Sequence, residues 1–191
     1  SYSKGDAISN KNEGYIPLIR ANNIVDGVLT NDDLLYVPIS IVQEKQIIKA
    51  GDIVIAASSG SLNIVGKAAY SSENMYSTFG AFCKLIRPNS KLVLPSYLNF
   101  YFQSNAYRLK VSSLAQGANI NNLKNEHIDE LEIPLPPLPE QKRIAEILDN
   151  ADALRQKNKQ LLAAYDELLQ ATFLDMFGDP VTNPKGWEKG T

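Results

Sequence analysis

The chain has 191 residues, enough for one domain of ordinary size and an appendage. Its single cysteine, Cys83, excludes an intrachain disulfide and a cysteine-built zinc site, and no apolar run approaches the ~18 residues of a membrane span. The net charge of −2 hides a segment, residues 53–125, with seven basic side chains against one acidic, flanked by stretches of −2 and −6. Such a local excess is an anion-binding signal if the cations converge, and a solvated surface if they scatter.

The first ~130 residues read as a compact α+β domain. Strands are predicted at Tyr15–Arg20, Gly51–Ala57, Gly66–Tyr70 and Phe82–Arg87, each short, rich in β-branched residues or flanked by Gly or Asn. Asp26-Gly27 is a turn signal after Ile24-Val25, and Pro38 to Lys45 reads as a short helix. Pro95 stands at the first turn of a helix predicted to run from Ser96 to about Val111, with Leu98, Tyr101, Phe102 and Leu109 on its apolar face. Cys83 fits a small buried hydrophobe, which points to a reducing compartment, the cytoplasm.

Gln116 to Leu123 is a polar loop crowded with amides, and Asn125 is placed to cap a short turn reaching Asp129. Six residues, Pro134-Leu135-Pro136-Pro137-Leu138-Pro139, then form a stiff extended elbow. Beyond it the apolar residues step by three and four: Ile144, Ile147, Ala151, Leu154, then Leu161, Tyr165 and Leu168, with Leu148, Leu162, Leu169 and Met176 widening the stripe. This is a heptad seam on one long helix, predicted from Pro139-Glu140 to just before Gly178. A stripe of that length needs a second helix to cover it. Asn158 breaks the seam at an a position, a device that fixes register and orientation at a cost in stability. The tail from Asp179 is turn-rich. The abrupt ends at Ser1 and Thr191 read as those of a fragment, and the opening residues lack the basic-then-apolar order of a secretory leader.

No catalytic constellation emerges. His127 is the single histidine and sits among charged residues. Ser58-Ser59-Gly60-Ser61 follows a strand but lacks the Gly-Lys-Ser/Thr ending of a phosphate loop and the glycine spacing of a hydrolase elbow. No metal-ligand spacing is present, so an enzyme is the least favoured class.

The segment Ile133-Pro134-Leu135-Pro136-Pro137-Leu138-Pro139-Glu140-Gln141-Lys142-Arg143-Ile144-Ala145-Glu146-Ile147-Leu148-Asp149 resembles the junction between recognition domain and helix in specificity subunits of type I restriction–modification systems. Pro17 to Ile24, Gly51 to Ser61 followed by Gly66-Lys67-Ala68, Phe173 to Pro180, and Gly186-Trp187 resemble further parts of the same family. The elbow motif is long and specific, and the loop motifs are individually weak. The resemblance implies a target-recognition domain at 1–133, the elbow at 134–139, a spacer and dimerisation helix at 140–177, and a tail at 178–191 leading toward a second recognition domain. Family subunits carry two domains and two helices, and this chain has one of each. Two copies pairing their helices as an antiparallel coiled coil, through Ile144, Ile147, Ala151, Leu154, Asn158, Leu161, Tyr165 and Leu168, would rebuild that body as a homodimer.

The resemblance also implies a non-catalytic, DNA-recognising protein. It would hold no cofactor. Methyltransferase partners would bring S-adenosylmethionine and a restriction/translocase partner would bring ATP hydrolysis. The candidates for base or near-base contact are Arg20, Asn22, Ser59, Ser61, Tyr76, Thr78, Gln116, Asn119, Asn121 and Asn122, with Lys67 and Lys124 on phosphates. Each has a plainer alternative: the asparagines suit turns, Tyr76 and Thr78 suit a strand face, and Arg20 suits an internal ion pair. The competing function is a protein-binding scaffold that dimerises through its helix.

Overall fold

The computed structural model describes residues 4–61, 63–116 and 122–188. Among them, eight strands form two sheets. The first sheet joins β1 (Tyr15–Ile19) to β4 (Leu35–Pro38), antiparallel with Ile16 opposite Val37, and to β7 (Thr78–Phe79), parallel with Leu18 opposite Thr78. Pro17 lies in β1 although proline cannot donate to a ladder. It sits just before the pairing with β7 begins, so its missing donor costs that ladder nothing.

The second sheet has the order β2-β3-β6-β5-β8, from β2 (Ile24–Val25), β3 (Val28–Leu29), β6 (Ala68–Tyr70), β5 (Ile53–Ala56) and β8 (Cys83–Ile86). β2 and β3 form a hairpin across Asp26 and Gly27, whose φ values of 50° and 80° are those of a primed turn. All four residues of β5 are buried. Ile53 and Ile55 face one apolar cluster, with Leu98, Phe102, Tyr107 and Val111. Val54 and Ala56 face a second, with Ile19, Ile24, Ile48 and Cys83. A strand covered on both faces carries a continuous apolar run, and β5 does.

The region expected to hold one helix holds two, α1 (Pro95–Gln103) and α2 (Asn105–Gln116). Ser104 separates them with extended backbone, φ −71° and ψ 151°. Its hydroxyl donates to Tyr101 O at 2.7 Å and accepts the Tyr107 N–H at 3.2 Å. The break turns Tyr107 inward, edge-on to Phe102 with ring centroids 4.9 Å apart. Leu109, expected on the buried face, is 71% exposed, and Val111 packs in the core instead. The helix expected at Pro38 to Lys45 is two 3-10 turns, Ile39–Ile41 and Glu44–Gln46. The short α3 (Asn125–Asp129) is capped at Lys124, not Asn125.

The elbow and the residues leading into it are strapped to α1. Tyr97 Oη donates to Pro134 O at 3.0 Å and Tyr101 Oη to Glu132 O at 3.3 Å. Then α4 (Leu138–Phe177) runs 40 residues, ~60 Å at helical rise. Its first turns bury Gln141 and Ala145. Contacts divide the chain into two units, Ser1–Ala145 and Glu146–Thr191.

Within the second unit the seam residues stay exposed, with Ile147 at 56%, Leu154 at 61%, Leu161 at 50% and Leu168 at 59%. Helix ends leave carbonyls without partners. Here Lys185 Nζ donates to Met176 O at 2.9 Å and Trp187 Nε1 to Phe177 O at 3.0 Å. Gly178 takes φ 77°, the left-handed position glycine favours after a helix. No helix among the described residues is long and apolar enough to cross a membrane.

Candidate nucleic-acid interface

A chain of main-chain hydrogen bonds draws four loops together where β1, β5 and β7 end. Gly80 N, just past β7, donates to Ile19 O at 2.8 Å. Ala57 N and Ser58 N, just past β5, donate to Phe82 O at 2.8 and 3.0 Å. Leu123 N donates to Ala57 O at 2.6 Å, and Ser58 bridges Asn122. These bonds bring Arg20 and Asn22, the Ser58–Ser61 turn, and Asn122 with Lys124 to one rim. Lys67 joins them, since its carbonyl accepts Ala56 N at 2.8 Å and its side chain is exposed. Arg20, Ala21, Asn22, Gly80, Phe82 and Cys83 line a cleft of about 170 Å³ in this rim.

Arg20 is built in from behind. Asn23, fully buried, accepts the Arg20 N–H at 2.9 Å through Oδ1 and donates through Nδ2 to Asp32 O at 2.6 Å. The guanidinium then reaches Asp33, with Nη2 donating to Oδ2 at 2.9 Å and also to the Asp33 main-chain oxygen. Asn22 Nδ2 donates to the same Oδ2 at 3.4 Å. Ser59 is half-buried, and its Oγ accepts the Ser61 N–H at 3.2 Å, so part of its capacity serves the turn.

Two expected contacts stand apart from the rim. Thr78 is fully buried, its Oγ1 donating to Gln46 O at 3.1 Å, and so touches nothing outside the protein. It is a strand residue of the core, which corrects the expectation of a base contact. Tyr76 is 68% exposed but precedes β7, at the end of the strand opposite Gly80, and lies with Ile48, Lys49 and Asn74. Asn119, Asn121 and the side chain of Gln116 lie outside the described residues.

The positive segment is less free than its sequence suggests. Arg87 grips Asp52, which is 1% exposed, through Nε at 2.8 Å and Nη2 at 2.6 Å, and this contact raises the Arg87 pKa. Lys124 pairs with Glu126 at 3.0 Å, and the hydrogen bond from Lys124 holds the Glu126 carboxyl below its ordinary range. Both carboxylates lie outside residues 53–125, so counting charge within that segment overstated the field. Arg108 Nη1 donates to Val65 O at 2.9 Å, a structural use.

Sequence reasoning missed Phe82, 68% exposed at the lip of the cleft. Its neighbours Ala81 and Cys83 make it read as the start of a buried strand. It also missed Asp33, which carries no signal beyond being acidic in a turn.

Comparisons with known proteins bear on this geometry. Residues 2–164 match the family model of the type I restriction modification DNA specificity domain. The specificity subunit of the type I restriction enzyme EcoKI of Escherichia coli K12 is 44% identical over 170 residues, 89% of this chain and 36% of that protein. The StySPI specificity subunit of Salmonella potsdam matches at the same 44% over the same shares. Among solved structures, the HsdS subunit of Thermoanaerobacter tengcongensis superposes with a TM-score of 0.57 at 17% identity, over 92% of this chain and 45% of its own. A chain from a type I R-M system, solved for its assembly and conformational transition, reaches 0.65 at 16% identity over the same shares. Those two structures share the α+β fold with the long helix, and this chain spans less than half the length of each protein named here. With most of its residues matched, the chain belongs to the type I restriction modification DNA specificity domain family.

Proposed function

We propose that this chain reads DNA sequence for a type I restriction–modification complex and carries no reaction itself. The supporting observation is the hydrogen-bonded rim at the ends of β1, β5 and β7, which gathers Arg20, Asn22, Ser59, Asn122, Lys67 and Lys124. Amide side chains suit adenine edges and guanidinium suits guanine in the major groove, while lysines neutralise phosphates and set register. The ion pair Lys124–Glu126 is exposed on both sides and worth little in water, so a phosphate can replace the carboxylate at small cost. Methyltransferase partners supply S-adenosylmethionine and a motor-nuclease partner supplies ATP hydrolysis. The work takes place in the cytoplasm. Family membership disfavours the pure scaffold.

The uncovered seam of α4 supports pairing with a second copy. In an antiparallel pair Asn158, at the midpoint of the helix, meets its own twin, where two amides can satisfy each other. Two heads related by a twofold axis then read two identical half-sites, inverted about a gap set by helix length. Fluorescence polarisation of the full chain against random-sequence duplex DNA tests the reading. Binding that weakens steeply with salt supports it, and no binding at low salt contradicts it.

A further inference from the structure

The loop that holds Arg20 from outside contains a residue with no role in the fold's core, Asp33. Its side chain is 80% exposed in the ion pair, so burial does not explain it. Its backbone takes φ 49°, a left-handed conformation rare for a side-chain-bearing residue. Through that conformation it offers two acceptors to one guanidinium nitrogen, the carboxylate Oδ2 and the main-chain oxygen, and the carboxylate also takes the Asn22 amide. Behind it, buried Asn23 ties Arg20 N to Asp32 O and so links the two loops. Both Nη2 hydrogens are thereby used. The bonds to Asp33 run through Nη2, and Nε is buried without an acceptor.

We infer that Asp33 is a positioning residue. It fixes the plane of the Arg20 guanidinium so that Nη1, the nitrogen left over by the Asp33 bonds and the burial of Nε, meets one base edge in the DNA major groove. This rests on the DNA-reading function proposed above. A flexible arginine on a rim contacts phosphates of any sequence. A guanidinium pinned at Nη2 loses that freedom before binding, and the fixed direction of its Nη1 donors can discriminate one base from the others. Asp33 thus acts on specificity through Arg20 and does not itself touch DNA, since a carboxylate facing phosphates would be repelled.

The test selects bound sequences from a random duplex pool with the full chain at about 0.1 M salt, comparing wild type, Asp33→Asn, Arg20→Ala and the double variant. Asn tolerates a left-handed backbone, so Asp33→Asn keeps the loop, and thermal melting verifies the fold. The expected result is a wild-type motif in which Asp33→Asn and Arg20→Ala relax the same single position, by about tenfold, with the other positions unchanged. The double variant then adds nothing to Arg20→Ala. If the wild-type motif persists intact in Asp33→Asn, the inference is overturned while DNA reading stands. If wild type enriches no motif, both fall.

Discussion

The buried side-chain amide of Gln141 closes on the main chain of Leu94. Its Oε1 accepts the Leu94 N–H at 2.8 Å, while Nε2 donates to Leu92 O at 3.0 Å and Pro136 O at 2.8 Å. One residue at the start of α4 thus satisfies groups before α1 and in the proline elbow. A buried donor or acceptor left without a partner costs more than the bond contributed. Gln141→Leu fills the space but orphans all three main-chain groups. Urea denaturation should show a loss of about 2–4 kcal/mol. A neutral result would mean that water replaces the amide.

The rim assignment separates binding residues from core residues. Lys67→Ala and Lys124→Ala should each weaken DNA binding across sequences and lower the slope of log affinity against log salt by about one. Thr78→Val should do neither. It removes the hydroxyl that bonds Gln46 O, so it should lower stability by about 1 kcal/mol and leave DNA affinity alone. Polarisation titrations at several salt concentrations, beside thermal melts, check all three.

Burial pushes the Cys83 thiol up from 9.0 to about 12. The folded chain therefore keeps its proton in a range where the unfolded chain has lost it. The contribution to stability is intact below pH 9 and is lost as pH rises from about 9 toward 12. Denaturant midpoints of wild type and Cys83→Ala should converge across that window. At pH 8 the native thiol should react slowly with iodoacetamide and the urea-unfolded thiol quickly.

Substitutions on α4 probe pairing. Leu161→Glu puts a charge at the centre of the exposed seam and should yield monomers in sedimentation velocity at micromolar concentration. Asn158→Ile should raise the melting temperature but replace a single species by a mixture of arrangements, because the polar a position selects orientation. A wild type that sediments as a monomer would remove the basis for both.

What the sequence made legible had dense local signals. The apolar run of β5, the Asp26-Gly27 hairpin and the heptads of α4 each carry their period over consecutive residues. What it hid depends on partners distant in the chain. β7 is two residues long and exists because β1 lies beside it, so Thr78 looked like a surface strand residue. The break at Ser104 reflects the inward pull of Tyr107 against a helix period that reads through it. Arg87 counted as a free cation because its carboxylate lies 35 residues away. Gln141 looked like one more polar residue in a helix until its three acceptors and donors were brought around it.

The proposed pairing of two copies through α4 would present two identical DNA-reading rims. Mapping of methylated sites in cells that express this chain with a methyltransferase partner tests it most directly. The expected result is an interrupted palindrome, with two identical inverted half-sites and a gap that lengthens when whole helical turns are added to α4. A motif with one uninterrupted block, or with two unlike halves, would contradict it.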